Sequence, residues 1–210
     1  MSLTSAEVVQ SASQTDTKFR RLWYNMRQMN DKLKFTFKAW PVIAAATIGL
    51  CFLTQGVAKL FGIDLPDQEQ MTMVRNYLLH AFDSTEHFKV VVSLLFQVLL
   101  LAPAFEEVLF RWIGWRLPVK FLSRGKSAAI WAFAAVSSAA FSAAHYIDYM
   151  AFVKSGEFQW LPLSNAFLAL FFFGLAQCWL YRKTDRLWCP MLNHALFNLT
   201  NLVLLFVVPE

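Results

Sequence analysis

Three small groups of ionisable and amide side chains stand where the sequence is otherwise apolar: Glu106-Glu107 with Arg111, His145, and His194 with Asn198. A carboxylate can take a proton from water, an imidazole can share it, and a carboxamide can donate to an oxyanion. The set therefore suffices to hydrolyse an acyl compound. Each group alone also has an ordinary explanation. Glu-Glu-x-x-x-Arg can be a solvated helix end. His145, beside Tyr146 and Asp148, can be an interface residue. His194 and Asn198 can be hydrogen-bond glue between helices.

Helical spacing separates the two carboxylates. Glu107 and Arg111 are four apart and share a face. Glu106 lies about 100° from Glu107 and about 140° from Arg111 around the axis. Arg111 is thus expected to neutralise Glu107, which stays ionised and structural. Glu106 has no local counter-ion, and burial would make it basic enough to serve as a general base. His194 and Asn198 are also four apart, and Asn201 extends their face by a turn.

The elements that carry these residues are read from composition. Of the 210 residues 57% are hydrophobic and 16% charged, with 21 Phe. That is too little polar surface for a soluble domain of this length, and it excludes disorder, coiled coil and collagen. Cys51, Cys178 and Cys189 are odd in number and form no CxxC pair, so they are expected to be packing residues. Charge-free windows run over 39–58, 90–105, 127–147, 158–181 and 187–209. Four of them can cross a ~30 Å hydrocarbon layer as helices. The window 90–105 is short unless it continues through Glu106, Glu107 and Phe110, which would put two carboxylates inside a span. Basic residues are dense in 1–38, sparse relative to acids in 59–89, dense in 111–126, sparse in 148–157 and dense in 182–186. This alternation predicts five spans with a cytoplasmic N-terminus and an external C-terminus, or six or more if 71–88 also enters the membrane. The +5 net charge reads as inner-leaflet topology and calls for no nucleic-acid partner.

The first apolar window is too long for the core of a signal peptide, and none is expected. In residues 17–38, Phe19, Leu22, Trp23, Met26, Met29, Leu33 and Phe37 recur at spacings of three and four between basics. The pattern predicts a helix docked on an anionic inner leaflet, with a cap packed on the bundle as the other reading. No internal repeat is visible. The expected organisation is a tail over 1–38 and one membrane-embedded domain over 39–210. The expected fold is all-α, a polytopic membrane bundle of about five to seven transmembrane helices.

The ordered set Glu106-Glu107-x-x-x-Arg111, Phe141-x-x-x-His145, His194-x-x-x-Asn198 resembles the CPBP family of CAAX-processing and bacteriocin-processing intramembrane proteases, also called the Abi family. Phe173-Gly174, Tyr181-x-x-Thr184 and Leu187-Trp188-x-Pro190 are similar to that family's Gly-rich helix, its Tyr-x-x-Thr-Gly turn and the start of its final helix. The resemblance covers about residues 90–205. Asp185 departs from it, since the family often has Gly there. The resemblance implies a glutamate-dependent intramembrane endopeptidase acting on a membrane-anchored protein or peptide in a prokaryotic plasma membrane. By that analogy Glu106 activates water with help from His145, His194 and Asn198 hold the oxyanion, and Glu107 and Arg111 pair to fix the helix.

No cofactor is expected. Glu106, His145 and His194 could instead form a His₂Glu zinc set, although no HExxH spacing singles out a metal. A non-catalytic scaffold or immunity protein of the same fold is the alternative from another class. A transporter is disfavoured by the absence of an inverted repeat. If the spans ended at the charges, His145 would lie about 27 Å across from the entry at 127 and could not meet Glu106. A shared site requires residues 111–126 to lie partly within the protein, or the spans to start elsewhere. Pro103 permits a break at that point.

Overall fold

A computed structural model describes residues 5–66, 69–80, 83–148 and 155–207, with the backbone alone for 5–23, 69–73 and 206. All its elements are helical: α1 (Ser5–Leu60), α2 (Glu69–Leu79), α3 (Thr85–Leu122), α4 (Ser127–Ala144), α5 (Ala166–Thr184) and α6 (Trp188–Val207). The only extended pairing among the described residues is an isolated bridge between Ile147 and Trp160. The expected helical membrane bundle is the observed architecture.

Among the described residues three helices are long and apolar enough to cross a membrane: Tyr24–Leu60, Thr85–Leu122 and Ser127–Ala144. The windows 158–181 and 187–209 become α5 and α6. These carry Gln177, Arg182 and Lys183, and Asn193, His194, Asn198 and Asn201, which lower their hydropathy. At 11 residues α2 is too short to span a bilayer.

The short window 90–105 does continue. Ser84 caps α3, its hydroxyl accepting from His87 N–H at 3.1 Å, and the helix then runs unbroken to Leu122. The break that Pro103 permits does not occur. Two π-helical stretches, Gln97–Leu101 and Glu107–Arg116, flank the turn that holds it. A π register frees carbonyls that an α register would use, and side chains of other helices meet two such carbonyls. Asn198 Nδ2 donates to Val98 O at 2.8 Å, and Ser137 Oγ donates to Phe110 O.

This long helix removes the obstacle to a shared site. Residues 111–122 lie within α3. Arg124 and Gly125, both at positive φ, turn the chain back into α4. Glu106 is then 16 residues before the end of α3 and His145 is 18 residues after the start of α4, about 24 and 27 Å of helix. Both therefore lie at a similar depth.

The basic ends converge. Arg116 pairs with Asp185 at 2.6 Å, Trp115 meets Tyr181 at 5.8 Å, and the Arg182 guanidinium lies over Trp131. Gln28, Asp31, Lys32 and Phe35 of α1 line a cavity with Lys183 and Thr184 at the same end. Asp185, the departure from the family pattern, is the left-handed residue that ends α5, with φ 52°. Asp tolerates that conformation better than a branched residue, and here its carboxylate has a guanidinium partner.

α1 packs on α5 and α6 through Thr36, Ala39, Ile43, Ala44 and Thr47, a buried stripe at helical spacing. Trp40 Nε1 donates to Thr200 Oγ1 at 3.2 Å. The expected tail boundary at 38/39 falls inside this continuous helix. Of the stripe expected to face lipid, Met26, Met29 and Phe37 are exposed and Leu33 is half-buried. The side chains of Phe19, Leu22 and Trp23 lie outside the described residues.

α4 and α5 approach closely through small residues, Ala134, Ser137 and Ser138 against Gly174 and Cys178. A Cβ built on Gly174 would lie 2.8 Å from Ser138 Cβ and 3.1 Å from its Cα. Gly174→Ala is therefore expected to push the two helices apart and to cost about 1–3 kcal/mol. Thermal unfolding in detergent checks this, with partial recovery expected when Ser138→Gly is added.

Candidate active site

Glu107 and Arg111 are both wholly buried, with Glu107 Oε2 3.1 Å from Arg111 Nε. The contact is an ion pair without hydrogen-bond alignment, and none of the three guanidinium nitrogens has a hydrogen-bond partner among the described residues. The guanidinium instead lies 4.6 Å over the Phe141 ring, a cation–π contact.

The second oxygen of Glu107 reaches another helix. His194 Nδ1 lies 3.0 Å from Glu107 Oε1. With Glu107 ionised, Nδ1 must carry the proton and donate, which sets the imidazole tautomer and its rotation. The other nitrogen, Nε2, is thereby turned to Glu106, whose Oε2 is 3.7 Å away. That is too long for a direct hydrogen bond. Glu106 is 24% exposed, and its Oε2 is buried with no hydrogen-bond partner among the described residues. The adjacent carboxylates thus have different surroundings, one tied to a cation and an imidazole, the other open on one side.

His145 follows the last residue of α4. Its Nδ1 lies 2.9 Å from Phe141 O and, as the donor there, leaves Nε2 to act as an acceptor when the ring is neutral. Glu106, His194 and Arg111 are all near enough to act on it electrostatically. Phe141 joins the two imidazoles, its ring 4.7 Å from that of His145 and 5.8 Å from that of His194. Beyond His145, Tyr146 is pinned by a 2.8 Å hydrogen bond between its hydroxyl and Ser164 Oγ. On the other side of His194, Phe173 packs at 5.1 Å and stacks on Phe197.

The structure therefore brings together Glu106, Glu107, Arg111, His145 and His194 from three helices. Asn198 lies one turn beyond His194, and one N–H of its carboxamide is held by Val98 O. Among the described residues no group of three or more His, Cys, Asp or Glu is placed to hold a metal ion. In the proposed His₂Glu set, His194 already gives one nitrogen to Glu107.

Two features were missed by residue spacing. The first is the tie between Glu107 and His194, which are 87 residues apart. The second is a wholly buried amide pair, Gln177 Nε2 donating to Asn193 Oδ1 at 2.9 Å, which clamps α5 to α6 just before His194. The available signal was two uncharged polar residues inside apolar windows.

The described helices thus enclose a carboxylate–imidazole cluster within an apolar bundle. A family model described as Type II CAAX prenyl endopeptidase Rce1-like matches residues 88–200, and the chain belongs to this family of CAAX-type intramembrane proteases. It is an integral membrane protein. No curated protein and no solved structure matches the chain.

Glu107→Gln leaves Arg111 as a buried charge without its counter-ion. Such a loss is expected to cost about 3–5 kcal/mol in unfolding experiments. Adding Arg111→Met removes the stranded charge and should restore most of the stability. Activity should stay low in the double variant, because the neutral amide no longer holds His194 as the carboxylate does.

Proposed function

We propose that the protein is an intramembrane endopeptidase in which Glu106 activates water. The carboxylate accepts a proton as the water oxygen attacks the peptide carbonyl. The tetrahedral intermediate then collapses, the C–N bond breaks, and the proton passes to the leaving amine. Nε2 of His145, with Nδ1–H given to Phe141 O, shares the water proton. His194, protonated and held at Nδ1 by Glu107, offers Nε2–H to the oxyanion, and the second N–H of Asn198 assists. Glu107 and Arg111 orient the site.

The single observation that carries this reading is the position of His194 between two carboxylates, 3.0 Å from Glu107 and 3.7 Å from Glu106. It supplies an oriented imidazole beside an open carboxylate. The reaction as drawn needs no cofactor. The substrate is a membrane-anchored peptide, a lipidated CAAX-type protein being the class that goes with the family and a bacteriocin leader the second. In this reading residues 39–210 form the protease unit. The basic ends face the cytoplasm of a prokaryotic plasma membrane, with the N-terminus there and residues 17–38 against the anionic leaflet. Convergence of the basic residues at one end of the bundle supports that orientation.

Wild type and Glu106→Gln are compared in detergent on a peptide library that includes prenylated CAAX peptides, with products read by mass spectrometry. The variant should lose about 10²–10⁴-fold in rate. Activity should persist in EDTA, whereas loss that zinc restores would favour the zinc-dependent version. Equal cleavage by wild type and variant would remove Glu106 from the chemistry, and no cleavage by either would favour a non-catalytic scaffold of this fold.

A further inference from the structure

One carbonyl in α3 cannot be served by its own helix. In an α register Val98 O would accept from the N–H of Ala102, but that N–H is directed to Gln97 O. In the wider register so created, the next donor along the chain would be residue 103. That residue is Pro103, which has no N–H. The orphaned carbonyl points to α6, where Asn198 Nδ2 reaches it at 2.8 Å.

We infer that Pro103 is a positioning residue for the proposed reaction, acting through the Val98 carbonyl that it orphans and the Asn198 carboxamide that this carbonyl captures. Pro103 precedes Glu106 by three residues, and Asn198 follows His194 by four, one helical turn. The tie at Val98–Asn198 and the tie at Glu107–His194 are, among the described residues, the two hydrogen bonds that dock α6 on the Glu106 segment of α3. Two ties set both the height and the rotation of His194 relative to Glu106. Pro103 thus converts a local backbone defect into a demand for a specific partner helix, since an unpaired carbonyl in an apolar bundle is costly. Asn198 accordingly does more than face substrate, because half of its donor capacity is spent on the backbone of α3.

The inference rests on the proposed function only for its activity readout. The test is a double-mutant cycle on the full chain in detergent: wild type, Asn198→Ala, Pro103→Ala and the double variant. In the wild-type background Asn198→Ala should lower kcat by about tenfold or more, leave KM within about twofold, and lower the unfolding midpoint. Alanine at 103 restores an N–H that Val98 O can use, so in that background the same substitution should lower kcat at least about threefold less than in the wild-type background, the part lost there being the oxyanion contact of Asn198, and should lower the midpoint by less than half as much. Equal losses in both backgrounds would overturn the inference and leave Asn198 as an independent oxyanion donor. The unfolding cycle decides by itself if Pro103→Ala is inactive, or if Glu106→Gln cleaves as well as wild type and the proposed function fails. An equal midpoint drop in both backgrounds then overturns the inference.

Discussion

A carboxylate that nothing exposes to solvent is the constraint on which the structure depends. Glu107 lies inside a bundle of apolar helices, where an ionised group is stable only with partners. It has two, one per oxygen, Arg111 one turn along its own helix and His194 on α6. The Arg111 guanidinium is equally buried and draws further on the face of Phe141. Satisfying Glu107 therefore requires α3, α4 and α6 to meet at one level, and that is the level of Glu106 and His145. The charge that orients the cluster also assembles it.

Reaching that level takes length and local distortion. The chain threads Glu106 and Glu107 through the middle of a 38-residue helix and returns through α4 so that His145 comes to similar depth. The Arg116–Asp185 ion pair at the end of the bundle and the Glu107–His194 hydrogen bond inside it tie α3 to its neighbours at two levels. The two π stretches of α3 expose carbonyls that α4 and α6 take up with Ser137 and Asn198. In an apolar medium such side chains serve in place of water, and they tie each distortion to a particular neighbour.

Much of the fold was legible in the sequence, because the bilayer imposes simple rules on composition. Apolar windows, gaps between charges and alternating basic loops marked the helices and the common end of 111–126 and 182–186. The separation of Glu106 from Glu107 followed from a hundred degrees of helical rotation. Span boundaries were less legible. Stopping each span at a charge misplaced Glu106, since Arg111 and Arg116 are neutralised inside or at the end of the bundle and need not mark a membrane surface. Pro103 suggested a break because its missing N–H is local information, whereas the carbonyl it strands is served by Asn198, 100 residues from Val98.

The sequence by itself therefore determined which residue types could do chemistry, on which helices they lie and which neighbours along a helix face them. These depend on spacing and on a solvent that tolerates few charges. Tertiary structure alone decided that His194 turns one nitrogen to Glu107 and the other to Glu106. It also decided that Gln177 pairs with Asn193 and that Gly174 lets α5 settle on Ser138. Each of these joins residues on different helices, and their distances follow from how side chains interlock in three dimensions, which no periodicity along one chain encodes.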